Sequence, residues 1–76
     1  MTKAEQILAA LGGSANVLRV EPSAMRLCVE VSRTADVDEG QLRVPGVFGV
    51  VRTGHLVQVI VGPEVGGLAA EIDLLR

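Results

Sequence analysis

The sequence predicts an α+β fold: a four-stranded antiparallel sheet with three helices on one face, in the order α-β-β-α-β-β-α. Three observations lead there. Two pairs of short, alternating, β-rich runs are each joined by a few turn-forming residues, as antiparallel neighbours require. Segments with helical patterning or helix-start signals precede, separate and follow those pairs. The chain is 49% hydrophobic but has Phe48 as its single aromatic residue, so the core is made of Val, Leu, Ile and Ala, a set that suits strands under a layer of helices.

Taken in order, Lys3 to Leu11 sets Ile7, Leu8 and Leu11 on one helical face, and Gly12-Gly13 supplies the stop. Asn16 to Glu21 alternates, with Leu18 and Val20 on one side and Arg19 and Glu21 on the other; Leu27 to Ser32 repeats the pattern through Leu27, Val29 and Val31. The connection Pro22-Ser23-Ala24-Met25 is short, and Pro22 lacks an amide donor, so the turn is expected to protrude. Asp36 with Glu39 reads as a capping box for a helix from about Val37 to Arg43, ended by Pro45-Gly46. Gly40 weakens that helix by about 1 kcal/mol relative to alanine. Val47 to Arg52 and Leu56 to Val61 form the second strand pair around Thr53-Gly54-His55. Gly62-Pro63 opens the third helix, with Glu64 in its first turn and Leu68, Ile72 and Leu75 as its apolar stripe.

Size and charge narrow the function. Seventy-six residues read as a single domain, residues 1–76, with room for one core and one shallow site. A net charge of -2 leaves no basic stripe for a nucleic-acid backbone. Cys28 is the only cysteine, so one chain holds no disulfide and no multi-cysteine metal site, which fits a reducing cytoplasm. No segment is long and apolar enough to span a membrane, and no cleavage-site signature follows Met1. Gly46-x-x-Gly49 lies between a helix and a strand, the wrong context for a dinucleotide fingerprint. Neither a metal nor a cofactor is expected.

The segment Glu21-Pro22-Ser23-Ala24-Met25-Arg26-Leu27-Cys28, with Gly12-Gly13, Asn16, Gly49-Val50-Val51, Gly54, Val57-Gln58, Ile60 and Gly62 at their spacings, resembles the IIB domain of the glucose and N-acetylglucosamine branch of the bacterial phosphoenolpyruvate-dependent sugar phosphotransferase system. The resemblance runs over essentially the whole chain. It implies a cytoplasmic domain that takes a phosphoryl group from a phosphohistidine of a IIA protein and passes it to a sugar held by the membrane-embedded IIC permease, at whose inner face it docks. It also implies an acceptor at Ser23, with Arg26 beside it, Pro22, Ala24, Met25 and Cys28 forming the phosphate-binding turn, and Gln58 nearby. Backbone amides of Ala24, Met25 and Arg26 would cradle the phosphoryl oxygens, and the arginine would add charge-assisted contacts.

The departures from the family fall at that turn. Its motif is Asp-Ala-Cys-Ile-Thr-Arg-Leu-Arg, whereas this chain has Ser23 for the cysteine, Met25 for the threonine and Cys28 for the second arginine. A serine hydroxyl is barely ionised at neutral pH without a base, and its phosphate ester is a poorer donor than a thiophosphate. The relay is therefore expected to be impaired. The alternative is a non-phosphorylatable docking module that binds phosphotransferase components or a regulator. The losses at Met25 and Cys28 favour natural drift at Ser23 over a single engineered change. Without the resemblance, Ser23 is a turn serine and Arg26 a solvated strand-end residue. Cys28 alternates onto the face opposite Leu27 and Val29, as a bystander, and His55 is an exposed hairpin residue. The identity of the sugar is not written in these residues.

Overall fold

A computed structural model describes residues 1–76. The elements are α1 (Lys3–Ala10), β1 (Val17–Ser23), β2 (Arg26–Val31), α2 (Glu39–Leu42), β3 (Gly49–Thr53), β4 (Leu56–Ile60) and α3 (Val65–Leu75). Short 3-10 turns at Ser14–Asn16, Thr34–Asp36 and Gly62–Glu64 lead into β1, α2 and α3. All strand pairs are antiparallel, in the spatial order β1-β2-β4-β3. The expected α-β-β-α-β-β-α order is the observed one. No helix is long and apolar enough to cross a membrane.

The core lies between one face of the sheet and the helices. Leu27, Val29 and Val31 of β2 and Val57 and Val59 of β4 point into it, meeting Ile7 and Leu11 from the first helix region, Leu42 from α2 and Ile72 from α3. Phe48 stays outside, 75% exposed, so the interior is wholly aliphatic. Asn16 is its one buried polar residue and is fully occupied. Its Nδ2 donates to the Leu11 and Arg33 carbonyls at 2.7 and 3.0 Å, and its Oδ1 accepts from the Arg33 amide at 2.7 Å. It thereby ties the end of α1 to the chain leaving β2. Gly12 faces it with φ +103, and a Cβ there would come within 2.6 Å of the Asn16 Nδ2.

Four local expectations change. Leu18 is 54% exposed, not inward. The register slips between Val17 and Arg19, so Leu18 is the extra residue of a bulge, and Val17 and Val20 both face the core. The cap of α2 is Asp38, whose Oδ1 accepts from the Gln41 amide at 3.1 Å, while Asp36 sits in the preceding 3-10 turn. A capping box does occur, at Thr2 and Glu5 of α1, where the sequence reading had not placed one. Leu75 is 43% exposed near the end of α3, where Val65, Leu68, Ala69 and Ile72 make the buried stripe instead.

Candidate functional site

With the helices stacked on one face of the sheet, the other face is open, and the alternation of the strands decides what it displays. Leu27 and Val29 point inward, so Arg26, Cys28 and Glu30 point outward. Register then builds rows across the open face. Ser23, Arg26, Ile60 and Gly49 make one row, and Glu21, Cys28, Gln58 and Val51 make the next. Ser23, Arg26, Cys28 and Gln58 are thus brought onto one surface, at the end of the sheet that carries the β1–β2 turn. Pro22 pairs with Leu27 and alternates to the other side.

The turn is tighter than its sequence suggested. Ser23 and Arg26 still pair, leaving Ala24 and Met25 as the two turn residues. Ala24 has φ +54, the only non-glycine residue with positive φ, so the turn stores strain that a glycine would relieve. The Met25 carbonyl accepts from Val61 N at 2.9 Å and from Gly62 N at 3.1 Å, which anchors the turn to the start of the third helical region. Gly62 has φ +77, and the Phe48 ring lies against it, with Cε2 3.1 Å from where a Cβ would stand. The Ala24 and Met25 amides donate to no backbone acceptor and are exposed with the turn. Two free N–H groups beside a cation are a receptor for an anion.

Arg26 supplies the cation. Its Nη1 donates to Gln58 Oε1 at 2.7 Å, and since Arg26 is directly opposite Ser23, this bond holds the guanidinium on the serine's face. Both Arg26 and Ser23 are exposed, and Cys28 is half-buried between Glu21 and Gln58. Glu21 is not free to serve as a base, because it is ion-paired with Arg19, whose guanidinium its hydrogen bond holds further above an already high pKa. His55 is in the turn at the far end of β4, five residues from the row containing Ile60, so about 17 Å of strand separates it from Ser23. There its Nδ1 contacts the Val31 carbonyl at 3.1 Å, and its role is to brace the end of β2.

The largest depression of the open face does not contain Ser23. It is lined by Arg19, Glu21, Cys28, Glu30, Thr53 and His55, among others. Two carboxylates make it a poor receptor for phosphate, whereas the hairpin tip from Ser23 to Arg26 presents two free amides and a guanidinium and no carboxylate, so the tip is the candidate anion site. The sequence reading missed two contributors to it, Gly62 and Phe48. The signal was present as a glycine followed by proline and as the lone aromatic, but only the Met25 to Gly62 hydrogen bond connects them to the turn.

No family model matches the sequence. Among curated relatives, the chain is 42% identical over 72 residues to the N-acetylglucosamine-specific EIIB component of the phosphotransferase system (PTS) of Streptomyces coelicolor, covering 95% of this chain and 94% of that one. It is 43% identical over 67 residues to the N-acetylglucosamine-specific EIICB component of Bacillus subtilis, covering 87% of this chain but 15% of that protein. It is 39% identical over 59 residues to the glucose-specific EIICBA component of Staphylococcus carnosus, covering 78% of this chain and 9% of that one. In fold it is similar to the crystal structure of one domain of the PTS IIabc component from Clostridium difficile, with a TM-score of 0.82 at 24% identity, covering 96% of this chain and 78% of that one.

Proposed function

The chain belongs to the IIB components of the glucose and N-acetylglucosamine PTS family, and on that premise we propose that it keeps the docking and anion-binding face of a IIB domain while relaying phosphate poorly. The observation that carries this reading is the surroundings of Ser23. A phosphoryl group arriving at the hairpin tip meets the free Ala24 and Met25 amides and the Arg26 guanidinium held by Gln58. The acceptor itself lacks a base, with Glu21 bound to Arg19 and His55 at the other end of the strands.

The chemical consequence follows from the nucleophile. A thiol needs no base, since a few per cent of it is already thiolate at neutral pH and a neighbouring cation raises that share; the thiolate attacks the phosphorus of a phosphohistidine and displaces the imidazole. A hydroxyl needs its proton removed as the O–P bond forms, and nothing beside Ser23 takes it. Arg26 would stabilise the charge on the transferred group in either case. Cys28, about 7 Å further along the strand, replaces a second cation with a small half-buried group, which weakens the hold on phosphate further.

The partners proposed are a IIA phosphocarrier and a IIC permease, the latter placing the domain at the inner face of the membrane. Relatives whose names join the B component to C, or to C and A, support this choice. The test is incubation with a phosphorylated IIA protein, followed by intact mass, for the chain and for Ser23→Cys. The variant is expected to gain one phosphoryl group and the parent to gain it far more slowly. Phosphate reaching Ser23 and then sugar as fast as in the variant would refute the impairment.

A further inference from the structure

The two edges of the sheet, β1 and β3, are finished differently. The β1 edge is guarded by the Leu18 bulge, by Pro22 without an N–H, and by Arg76, whose Nη1 donates to the Val17 carbonyl at 3.1 Å, while α3 packs against the strand. β3 has none of these devices. It holds no proline, and its register with β4 is unbroken from Gly49 to Thr53. Its one charge, Arg52, is turned back to donate from Nη2 to the Thr34 carbonyl at 2.9 Å.

The direction of the edge groups follows from the turn. Gly54-His55 is a two-residue connection, so Thr53 and Leu56 form a hydrogen-bonded pair, and Gly49, Val51 and Thr53 address β4. Val50 and Arg52 therefore direct their N–H and C=O groups out of the sheet. A second feature coincides with them. Val44, Val47, Phe48, Val50 and Val51 lie within eight residues of chain, and none is buried; Val51 is 43% exposed.

We propose that β3 pairs with β3 of a second copy of this chain, in a two-fold antiparallel dimer centred on Val51 that joins the two sheets into one. The strand's own sequence selects the occupant and the register. Centred there, Val50 of each copy lies opposite Arg52 of the other, so every outward N–H and C=O of these two residues is paired reciprocally. The two Val51 side chains meet on the open face, and Gly49 lies opposite Thr53. Centring on Arg52 would set two guanidinium groups opposite one another. Centring on Val50 would place Arg52 opposite Phe48, whose N–H already donates to the Ile60 carbonyl at 2.8 Å. A short edge makes a small interface, so the dimer is weak and concentration-dependent.

Sedimentation velocity of the full chain from about 10 μM to about 1 mM tests this directly. The expected result is a reversible shift from monomer to dimer. Val51→Lys, which sets like charges at the two-fold axis, is expected to remain monomeric throughout, and Leu18→Lys on the other edge is expected to dimerise like the parent. Both positions are exposed, and circular dichroism checks that both variants are folded. A parent that stays monomeric at about 1 mM overturns the proposal and leaves the edge to an extended segment of another protein. A dimer that survives Val51→Lys, or is lost in Leu18→Lys, also overturns it. No phosphoryl donor enters the experiment, so its outcome is independent of the transfer reading.

Discussion

Replacing Asn16 by alanine removes three hydrogen bonds at once and leaves the Leu11 carbonyl and both backbone groups of Arg33 without their partner. The Leu11 bond is buried, and the two to Arg33 are partly open to solvent, so water replaces part of the latter loss. With about 1–3 kcal/mol for an unpaired buried group and less for the other two, the expected cost is about 2–4 kcal/mol. A domain of this length holds about 4–11 kcal/mol in total, so the change removes a large share of it. At about 4–8 °C per kcal/mol, Tm is expected to fall by about 8–32 °C. Urea denaturation followed by circular dichroism, compared with the parent, measures the loss. Asn16→Asp keeps the acceptor for the Arg33 amide but loses both donations and buries a carboxylate, so it is expected to cost at least as much. A loss below about 0.5 kcal/mol in Asn16→Ala, with unchanged denaturant slope, would refute the claim that this side chain clamps α1 to the end of β2.

Three further outcomes are expected. Ala24→Gly relieves the positive φ of the turn and should raise stability by about 0.5–1 kcal/mol in the same urea assay; destabilisation would remove the argument for strain there. In the Ser23→Cys background, Gln58→Leu frees the Arg26 guanidinium and should slow phosphate arrival from IIA by about tenfold with Tm unchanged, so an unaltered rate would show that Gln58 does not position Arg26. The carboxyl of Glu5 is held below its ordinary value of 4.5, first by the Thr2 backbone hydrogen bond and then by the Thr2 side chain. A lowered folded pKa gives stability that is fully present above the ordinary value and lost as pH falls through the folded one. Glu5→Gln keeps the capping geometry without the charge, so the parent's advantage over it should shrink between about pH 6 and about pH 3. A gap that stays constant over that range would count against the charge.

Much of the site was legible because a sheet's chemistry is written in alternation. The period of two through Leu27, Val29 and Val31 places Arg26 and Cys28 on the other face without any coordinates, and Gly54 marks a turn wherever its strands end up. What failed were features decided by single residues out of period. Leu18 fits an alternating strand perfectly well, and only the pairing with β2 reveals that it is the extra residue of a bulge. Asp36 and Asp38 are both chemically able to cap a helix; the choice falls on Asp38, which the Ala10 carbonyl holds by its N–H at 2.7 Å directly before α2, whereas Asp36 is taken up in the 3-10 turn, its N–H donating to the Arg33 carbonyl at 3.2 Å. Leu75 has the spacing of a core residue, but at the last position of α3 it is only partly covered and stays 43% exposed.

By itself the sequence determined the element order, the aliphatic core and the family, and it marked the turn at which an acceptor is proposed, because each of these rests on local pattern. The tertiary structure decided which residues become neighbours. Ser23 faces Arg26, Arg26 is held by Gln58 from another hairpin, and His55 is carried to the far end, since register in an antiparallel sheet fixes contacts between residues far apart in the chain. It also decided that β1 is closed and β3 open. The groups that guard β1 include Arg76, the last residue of the chain, and only folding brings it back to Val17.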